Sequence, residues 1–157
     1  MGGINSIPAV NGSVAPVLWR HKFPEWVQRD LVSFNNPNGS INNSNLELTG
    51  SIAHNGVLAR HADVRERTIH NYYDNMATIF WQQKGSTMTT GSAAYLLRLQ
   101  AFHQRFFCYM PIRDFIPGFF NTRADILYCR WVLSDNQLLA FFNSRFPQEL
   151  PWQKCPL

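Results

Sequence analysis

Residues 109–131, YMPIRDFIPGFFNTRADILYCRW, contain the change of pattern that decides the fold. The apolar positions of residues 109–116 predict a strand, and Pro117-Gly118 predicts its end. A helix is then expected near residues 123–131. A strand that leads through a tight turn into a helix is a building block of layered α/β proteins.

The rest of the chain supports the same class. Short apolar segments predict strands at residues 4–10, 14–19 and 68–73, and helices are predicted near residues 23–31, 46–60, 77–83 and 134–146. Another helix carries an apolar stripe at i, i+4, i+7 and i+11, formed by Tyr95, Leu99, Phe102 and Phe106. Since no linker or repeat divides the chain, we predict one α/β domain over residues 1–147 and a C-terminal tail over residues 148–157.

Composition narrows the functional classes. The chain has 157 residues and a net charge of +4, carried by 11 Arg and 3 Lys. Arg suits phosphate recognition, so a polyanionic partner is compatible with this charge. Three cysteines without a C-x-x-C spacing argue against a disulfide framework and against a zinc ribbon. His54 and His61 are interpreted as surface residues rather than metal ligands.

The hydropathy pattern excludes a membrane-spanning class. No apolar run reaches the roughly 18 residues needed to cross a bilayer, and the N-terminal residues lack a signal-peptide pattern. We therefore expect no membrane partner and an intracellular location, in the cytoplasm or the nucleus.

Three acidic residues are candidates for a catalytic metal site. Glu47 lies at the start of a predicted helix, Asp74 follows a predicted strand, and Asp125 lies at the start of a late helix. Carboxylates gathered from separate elements suit a two-metal phosphodiester hydrolase, because Mg²⁺ prefers oxygen ligands.

Each acid also has a structural explanation. Ser44-x-x-Glu47 and Thr122-x-x-Asp125 fit the capping-box pattern, as does Ser134-x-x-Gln137, and Asp74 could cap the helix that follows it. Spacing along the chain does not decide between caps and catalytic acids.

Several motifs, in this order, resemble the ribonuclease H domain of retroelement reverse transcriptases, in particular those of gypsy-like and tyrosine-recombinase-type elements. They are Asn45-x-Glu47-Leu48, Asp74-Asn75, Trp81-x-x-Lys84-Gly85-Ser86, Ile116-Pro117-Gly118-x-x-Asn121-x-x-Ala124-Asp125-x-x-x-x-Arg130, and Leu133-Ser134-Asp135-x-x-Leu138-Leu139-x-x-Phe142-Asn143. The similarity covers about residues 1–147.

The resemblance implies a mixed sheet with helices on both faces and four acids that bind two Mg²⁺ (or Mn²⁺) ions. Glu47, Asp74 and Asp125 match the second, third and fourth acids, so they are the expected catalytic and metal residues. The family's first, central strand and its Asp are absent from this sequence, and the last helix is expected as a C-terminal addition. We therefore expect at most one weakly bound ion and hydrolysis of RNA in RNA–DNA hybrids that is severely reduced.

The missing strand also has a structural consequence. Unpaired ladder groups on its two neighbours are costly, so either another segment fills the gap or the domain is marginally stable. We expect residues 4–10 or residues 14–19 to lie near the strand at residues 68–73.

A domain that has lost hydrolytic activity can still bind nucleic acid. The candidate nucleic-acid-binding residues are Trp81, Lys84, Arg98, His103 and Arg105, with an RNA–DNA hybrid as the expected partner, alongside the rest of a reverse transcriptase polyprotein. A solvated basic helix face is the structural alternative. Two functional alternatives stay open: a non-catalytic nucleic-acid- or protein-binding remnant of a mobile element, and a fragment without a selected role.

Overall fold

A computed structural model describes residues 1–8, 14–87 and 91–157. Within these ranges the protein is a mixed α/β domain with six α-helices and short strands in two small sheets. In chain order the elements are β1 Gly2–Pro8, β2 Val14–Arg20, α1 Glu25–Arg29, α2 Asn43–His61, β3 Thr68–Tyr73, α3 Met76–Lys84, α4 Ser92–Phe107, β4 Met110–Phe115, a 3₁₀ turn Gly118–Phe120, α5 Thr122–Cys129, α6 Asp135–Arg145 and β5 Gln153–Lys154.

The strands form two separate sheets. The first has the order β1-β2-β5, with β1 antiparallel to β2 and β5 parallel to it. The second is the parallel pair β3-β4, in which Thr68 lies opposite Met110 and Tyr73 opposite Phe115. A parallel pair needs a crossover, and α3 and α4 supply it. Among the described strands, β1 pairs only with β2 and β3 only with β4.

Helices cover both faces of the first sheet because the side chains of β2 alternate between two cores. Val17 and Trp19 point to a cluster that includes Val57 and Leu58 of α2. Leu18, between them, belongs to a second cluster on the opposite face, with residues of α5, α6 and the C-terminal segment: Leu127, Leu138, Phe142 and Trp152. Burial of these side chains fixes the sheet between two helical layers.

A third cluster joins α4 to the rest of the domain. Leu48 of α2 contacts Ala93 and Leu97 of α4, and Trp81 packs at the edge of this cluster. α4 ends at Cys108, whose φ of 51° is in the left-handed region, and the chain then enters β4.

The predicted elements agree with the structure apart from their ends and two additions. Residues 9–10 of the first predicted strand lie outside the described residues. The 3₁₀ turn and β5 were not predicted, and residues 148–157 are not a loose tail, since Trp152 and Cys155 are buried. His54 was predicted at the surface, but the structure shows it half-buried, and its Nδ1 accepts a hydrogen bond of 3.2 Å from Trp19 Nε1.

Candidate acidic cleft

A cleft of about 880 Å³ separates the two sheets. Residues 1–6 on one side and residues 67–74 on the other line it, so it runs along β1 and β3. Residues of α2 and α5 form the remaining walls. The sequence predicted that residues 4–10 or 14–19 lie near residues 68–73. In the structure, β1 and β3 border one cleft and do not pair with each other.

Glu47, Asp74 and Asp125 all line this cleft. Glu47 comes from the first turns of α2, Asp74 directly follows β3, and Asp125 lies in the first turn of α5. Because the three elements meet at one end of the cleft, acids separated by tens of residues in sequence become neighbours that interact electrostatically. We call Glu47, Asp74 and Asp125 the acidic cluster.

The interpretation of these acids as helix caps is wrong at all three positions. Asn42, not Ser44, caps α2, and its side chain accepts a hydrogen bond from the Asn45 amide. Asn75, not Asp74, caps α3 through the Thr78 amide. The N-cap of α5 is Asn121 and makes no side-chain capping bond.

The one capping box that forms is at α6. There the Ser134 side chain accepts from the Gln137 amide, and the Gln137 side chain accepts from the Ser134 amide. The capping-box pattern therefore predicted the cap correctly at α6, where no catalytic role was expected. α2 begins two residues earlier than the capping-box pattern at Ser44 and Glu47 requires, and α5 begins one residue earlier than the pattern at Thr122 and Asp125 requires.

Electrostatics distinguish the acidic cluster from ordinary surface carboxylates. Burial raises the pKa of Glu47 to about 7, and repulsion from Asp74 and then Asp125 contributes further. Burial also raises the pKa of Asp125, with repulsion from Asp74 as the second cause. The Met1 amine lies close enough to attract Glu47, although burial lowers the pKa of this amine to about 6. Negative charge at this end of the cleft is incompletely compensated.

Two further residues belong to the site, and neither was among the predicted site residues. Asn121 Nδ2 donates a hydrogen bond of 3.1 Å to Asp74 Oδ2, which orients that carboxylate. Tyr128 also lines the cleft, and the pKa of its hydroxyl is raised by burial and by the nearby Glu47. Asn121 stands within the motif that carries the resemblance, so the sequence held a signal for it, whereas Tyr128 had none.

A buried polar network supports the β3 side of the cleft. Arg113 Nε donates to Gln82 Oε1 at 2.6 Å, and Gln82 Nε2 donates to Ser51 Oγ at 2.6 Å. Ser51 Oγ and the Tyr73 hydroxyl are 2.7 Å apart. This chain of contacts ties β4, α3, α2 and β3 together directly beneath Asp74.

Another acid lines the cleft, but at its far end. Asp63 follows the C-terminus of α2, and 14 residues of helix separate Glu47 from His61, which corresponds to about 21 Å. Asp63 is also paired with Arg65, at 2.8 Å. It does not supply a fourth carboxylate to the acidic cluster.

The acidic cluster has the chemistry of a cation site without the closed geometry of one. Its carboxylate oxygens are the ligands that Mg²⁺ prefers. Burial and then mutual repulsion raise the pKa values of Glu47 and Asp125, and a bound cation would favour the ionised form of both groups. Among the described residues, however, no group of three or more His, Cys, Asp or Glu side chains is arranged to hold a metal ion. The two-ion arrangement of the resemblance does not fit this cleft as it stands.

The predicted nucleic-acid-binding residues lie on α3 and α4, away from the acidic cluster. Arg98 and Arg105 are exposed on α4, and Lys84 is exposed at the end of α3, with its Nζ 5.9 Å from the centre of the Phe80 ring. Trp81 is partly buried against the Leu48 cluster. His103 is half-buried, and its Nδ1 is 2.9 Å from the Tyr109 hydroxyl.

The apolar stripe of α4 faces outward. Its members are Tyr95, Leu99, Phe102 and Phe106, and the exposed fraction reaches 71% for Phe102 and 80% for Phe106. The side of α4 that packs against the domain is carried by Ala93, Leu97 and Gln100. None of the described helices is long and apolar enough to cross a membrane.

Comparison with known proteins assigns no family. No protein-family model matches the chain, no curated protein matches it, and no solved structure matches it.

Proposed function

We propose that this chain is a ribonuclease H-like domain of a retroelement reverse transcriptase polyprotein, with impaired hydrolytic activity. The family reaction is metal-dependent hydrolysis of RNA in RNA–DNA hybrids. The observation that carries the proposal is the convergence of Glu47, Asp74 and Asp125 on one cleft, with electrostatic coupling among them.

The same observation supports impairment. Three carboxylates, one of them half-protonated at pH 7, would hold a single divalent ion only weakly, and no fourth acid of the described residues reaches this end of the cleft. A two-metal hydrolase uses its ions to activate water and to stabilise the leaving oxygen. In this chain Asn121 would orient Asp74 toward a cation, and Glu47 and Asp125 would compensate its charge from α2 and α5.

Titration with Mn²⁺ tests the cation site directly. Since Glu47 has a pKa of about 7, we expect binding to release about half a proton at pH 7 and about a tenth at pH 8. Calorimetry in buffers of different ionisation enthalpy measures this number. Asp74→Asn is expected to weaken Mn²⁺ binding about tenfold or more, which corresponds to about 1.4 kcal/mol.

Asp63→Asn is the matched control, because Asp63 lines the same cleft beyond His61, which lies about 21 Å from Glu47 along α2. It is expected to leave Mn²⁺ affinity unchanged. Equal losses in both variants would show that Mn²⁺ responds only to general negative charge, and the proposal would fail. RNA cleavage in a hybrid within a few-fold of an intact ribonuclease H domain would contradict the impairment.

The alternative function is a non-catalytic module that binds nucleic acid or protein. The outward aromatic stripe of α4, with Arg98 and Arg105 beside it, favours this alternative, because large exposed apolar patches mark interaction sites. Hybrid binding that is unaffected by Mn²⁺ and by Asp74→Asn, in a chain that binds no Mn²⁺, would select it over the hydrolase.

A further inference from the structure

Both strands that border the cleft present an unpaired edge to it. Residues 1–6 and residues 68–74 line the cleft as unbroken runs. Because successive side chains of a strand point to opposite faces, an unbroken run shows that the edge of the strand, with its backbone groups, borders the space. Among the described strands neither β1 nor β3 has a partner on that side. Such edges are templates for an added strand.

The directions of the two strands permit one insertion to satisfy both edges. Met1, at the start of β1, has its Cβ 4.0 Å from the Cβ position of Gly50 in α2, and the next residue, Ser51, has its Oγ 2.7 Å from the hydroxyl of Tyr73, at the end of β3. β1 therefore begins at the end of the cleft where β3 finishes, and the two strands run in opposite directions. An inserted strand would be parallel to one and antiparallel to the other, and both ladders are normal.

Part of the cleft wall is apolar, beside the polar lining that the acidic cluster supplies. Leu58 and Gly50 of α2 lie on one side of the cleft, and Ala124 and Tyr128 of α5 lie on the other, with Trp152 beside them. A strand covered by helices on both faces is predominantly apolar along its whole length. The matching insert is thus a short apolar segment rather than an alternating one.

Two buried polar side chains on the strands that border the cleft also lack hydrogen-bond partners. Asn71, on β3, is 3% exposed, and neither its Nδ2 nor its Oδ1 makes a hydrogen bond. Asn5 Nδ2, on β1, is buried and unpartnered as well. Unsatisfied buried groups are costly, so they indicate that the strands beside the cleft are incompletely packed.

We propose that the cleft accepts an extended, apolar segment of about six residues from a partner polypeptide, which adds as a strand between β1 and β3 and joins the two sheets into one. The length follows from β1 and β3, which have seven and six residues. The chain's own C-terminal strand, β5, pairs with β2 on the opposite side of the first sheet. The inference is independent of the hydrolase, because strand binding needs no cation.

A synthetic peptide tests strand addition. The probe is acetyl-Lys-Val-Ile-Val-Thr-Val-Lys-amide with a fluorescent label, and its control is the same peptide N-methylated at the three valines. N-methylation keeps the side chains but removes backbone donors, so we expect saturable binding of the probe and at least about tenfold weaker binding of the control. Equal binding of both peptides would overturn the proposal.

Gly50 provides a matched pair of variants. A Cβ at this position meets only Met1 Cβ, at 4.0 Å, which is an ordinary contact, so Gly50→Ala is compatible with the fold. Gly50→Ala leaves the cleft open and is expected to keep peptide affinity within about twofold, whereas Gly50→Phe fills the cleft and is expected to reduce it about tenfold or more. Thermal unfolding of both variants checks that they fold. Undiminished affinity in folded Gly50→Phe would place the peptide elsewhere.

Hydrogen exchange locates the bound peptide. We expect the amides of residues 2–6 and 68–73 to gain protection when the peptide binds. Protection confined to α4, or to the β2–β5 edge, would overturn the proposal. So would sedimentation showing that the chain fills its own cleft by dimerising and that the peptide does not dissociate the dimer.

Discussion

The acidic cluster and the outer face of α4 were both apparent in the sequence, but they differ in what makes them sites. Glu47, Asp74 and Asp125 come from three elements and line one cleft, and repulsion among them contributes to the raised pKa values of Glu47 and Asp125. The stripe of Tyr95, Leu99, Phe102 and Phe106 comes from one helix and faces outward. A cluster assembled by tertiary structure can perform chemistry, whereas a single helical face can offer a surface for binding.

The largest expected difference concerns the two faces of α4. Leu97 is 7% exposed and packs against Leu48, so Leu97→Ala is expected to lower the free energy of unfolding by about 2–5 kcal/mol. Phe102 is 71% exposed, so Phe102→Ala should change it by less than about 0.5 kcal/mol. Urea unfolding measures both. A loss of similar size in Phe102→Ala would show that the stripe is covered in solution, which would contradict the difference between the two faces of α4.

A smaller effect is expected in the cleft and depends on pH. The pKa of Glu47 is raised to about 7 from an ordinary value of 4.5, so the folded state holds this proton over a pH range in which the unfolded state releases it. The free energy of unfolding therefore falls as pH rises from about 4.5 to 7. Glu47→Gln removes this dependence and should be more stable than the parent by about 1–3 kcal/mol at pH 8, with no gain below pH 4.5.

Asp63→Asn serves as the control of opposite sign. Hydrogen bonds from Arg65 hold the pKa of Asp63 below its ordinary value, so its ionised form is the favoured one in the folded state. This variant should not gain stability at pH 8. Thermal or urea unfolding across pH 4–8 would contradict the electrostatic account if Glu47→Gln and Asp63→Asn gave parallel profiles.

The smallest expected effect concerns the arginines beside the aromatic stripe. If Arg98 and Arg105 contact phosphates, the double variant Arg98→Ala/Arg105→Ala should weaken hybrid binding several-fold and reduce the slope of log K against log salt by about 1.8. Arg65→Ala is the matched control, because Arg65 is paired with Asp63. An unchanged slope in the double variant would show that Arg98 and Arg105 are solvated and do not contact phosphates.

Local patterns in the sequence predicted the elements well because helix periodicity and strand-ending residues act over a few positions. The helix at α4 and the strand at β3 are examples. Helix caps were harder, since a shift of one or two residues changes the cap: Asn42 lies two residues before Ser44, and Asn75 lies one residue after Asp74. The buried face of α4 was not predictable from the period, because the stripe is equally regular whether or not something covers it.

By itself the sequence determined the class of the domain, its order of strands and helices, and the positions of its acids, since these follow from local periodicity and residue chemistry. Only the tertiary structure decided that Glu47, Asp74 and Asp125 meet and that they are not helix caps. It also decided that β1 and β3 lie on opposite sides of a cleft and do not pair with each other. The physical reason is that burial, like-charge repulsion and edge pairing depend on contacts between residues far apart in the chain.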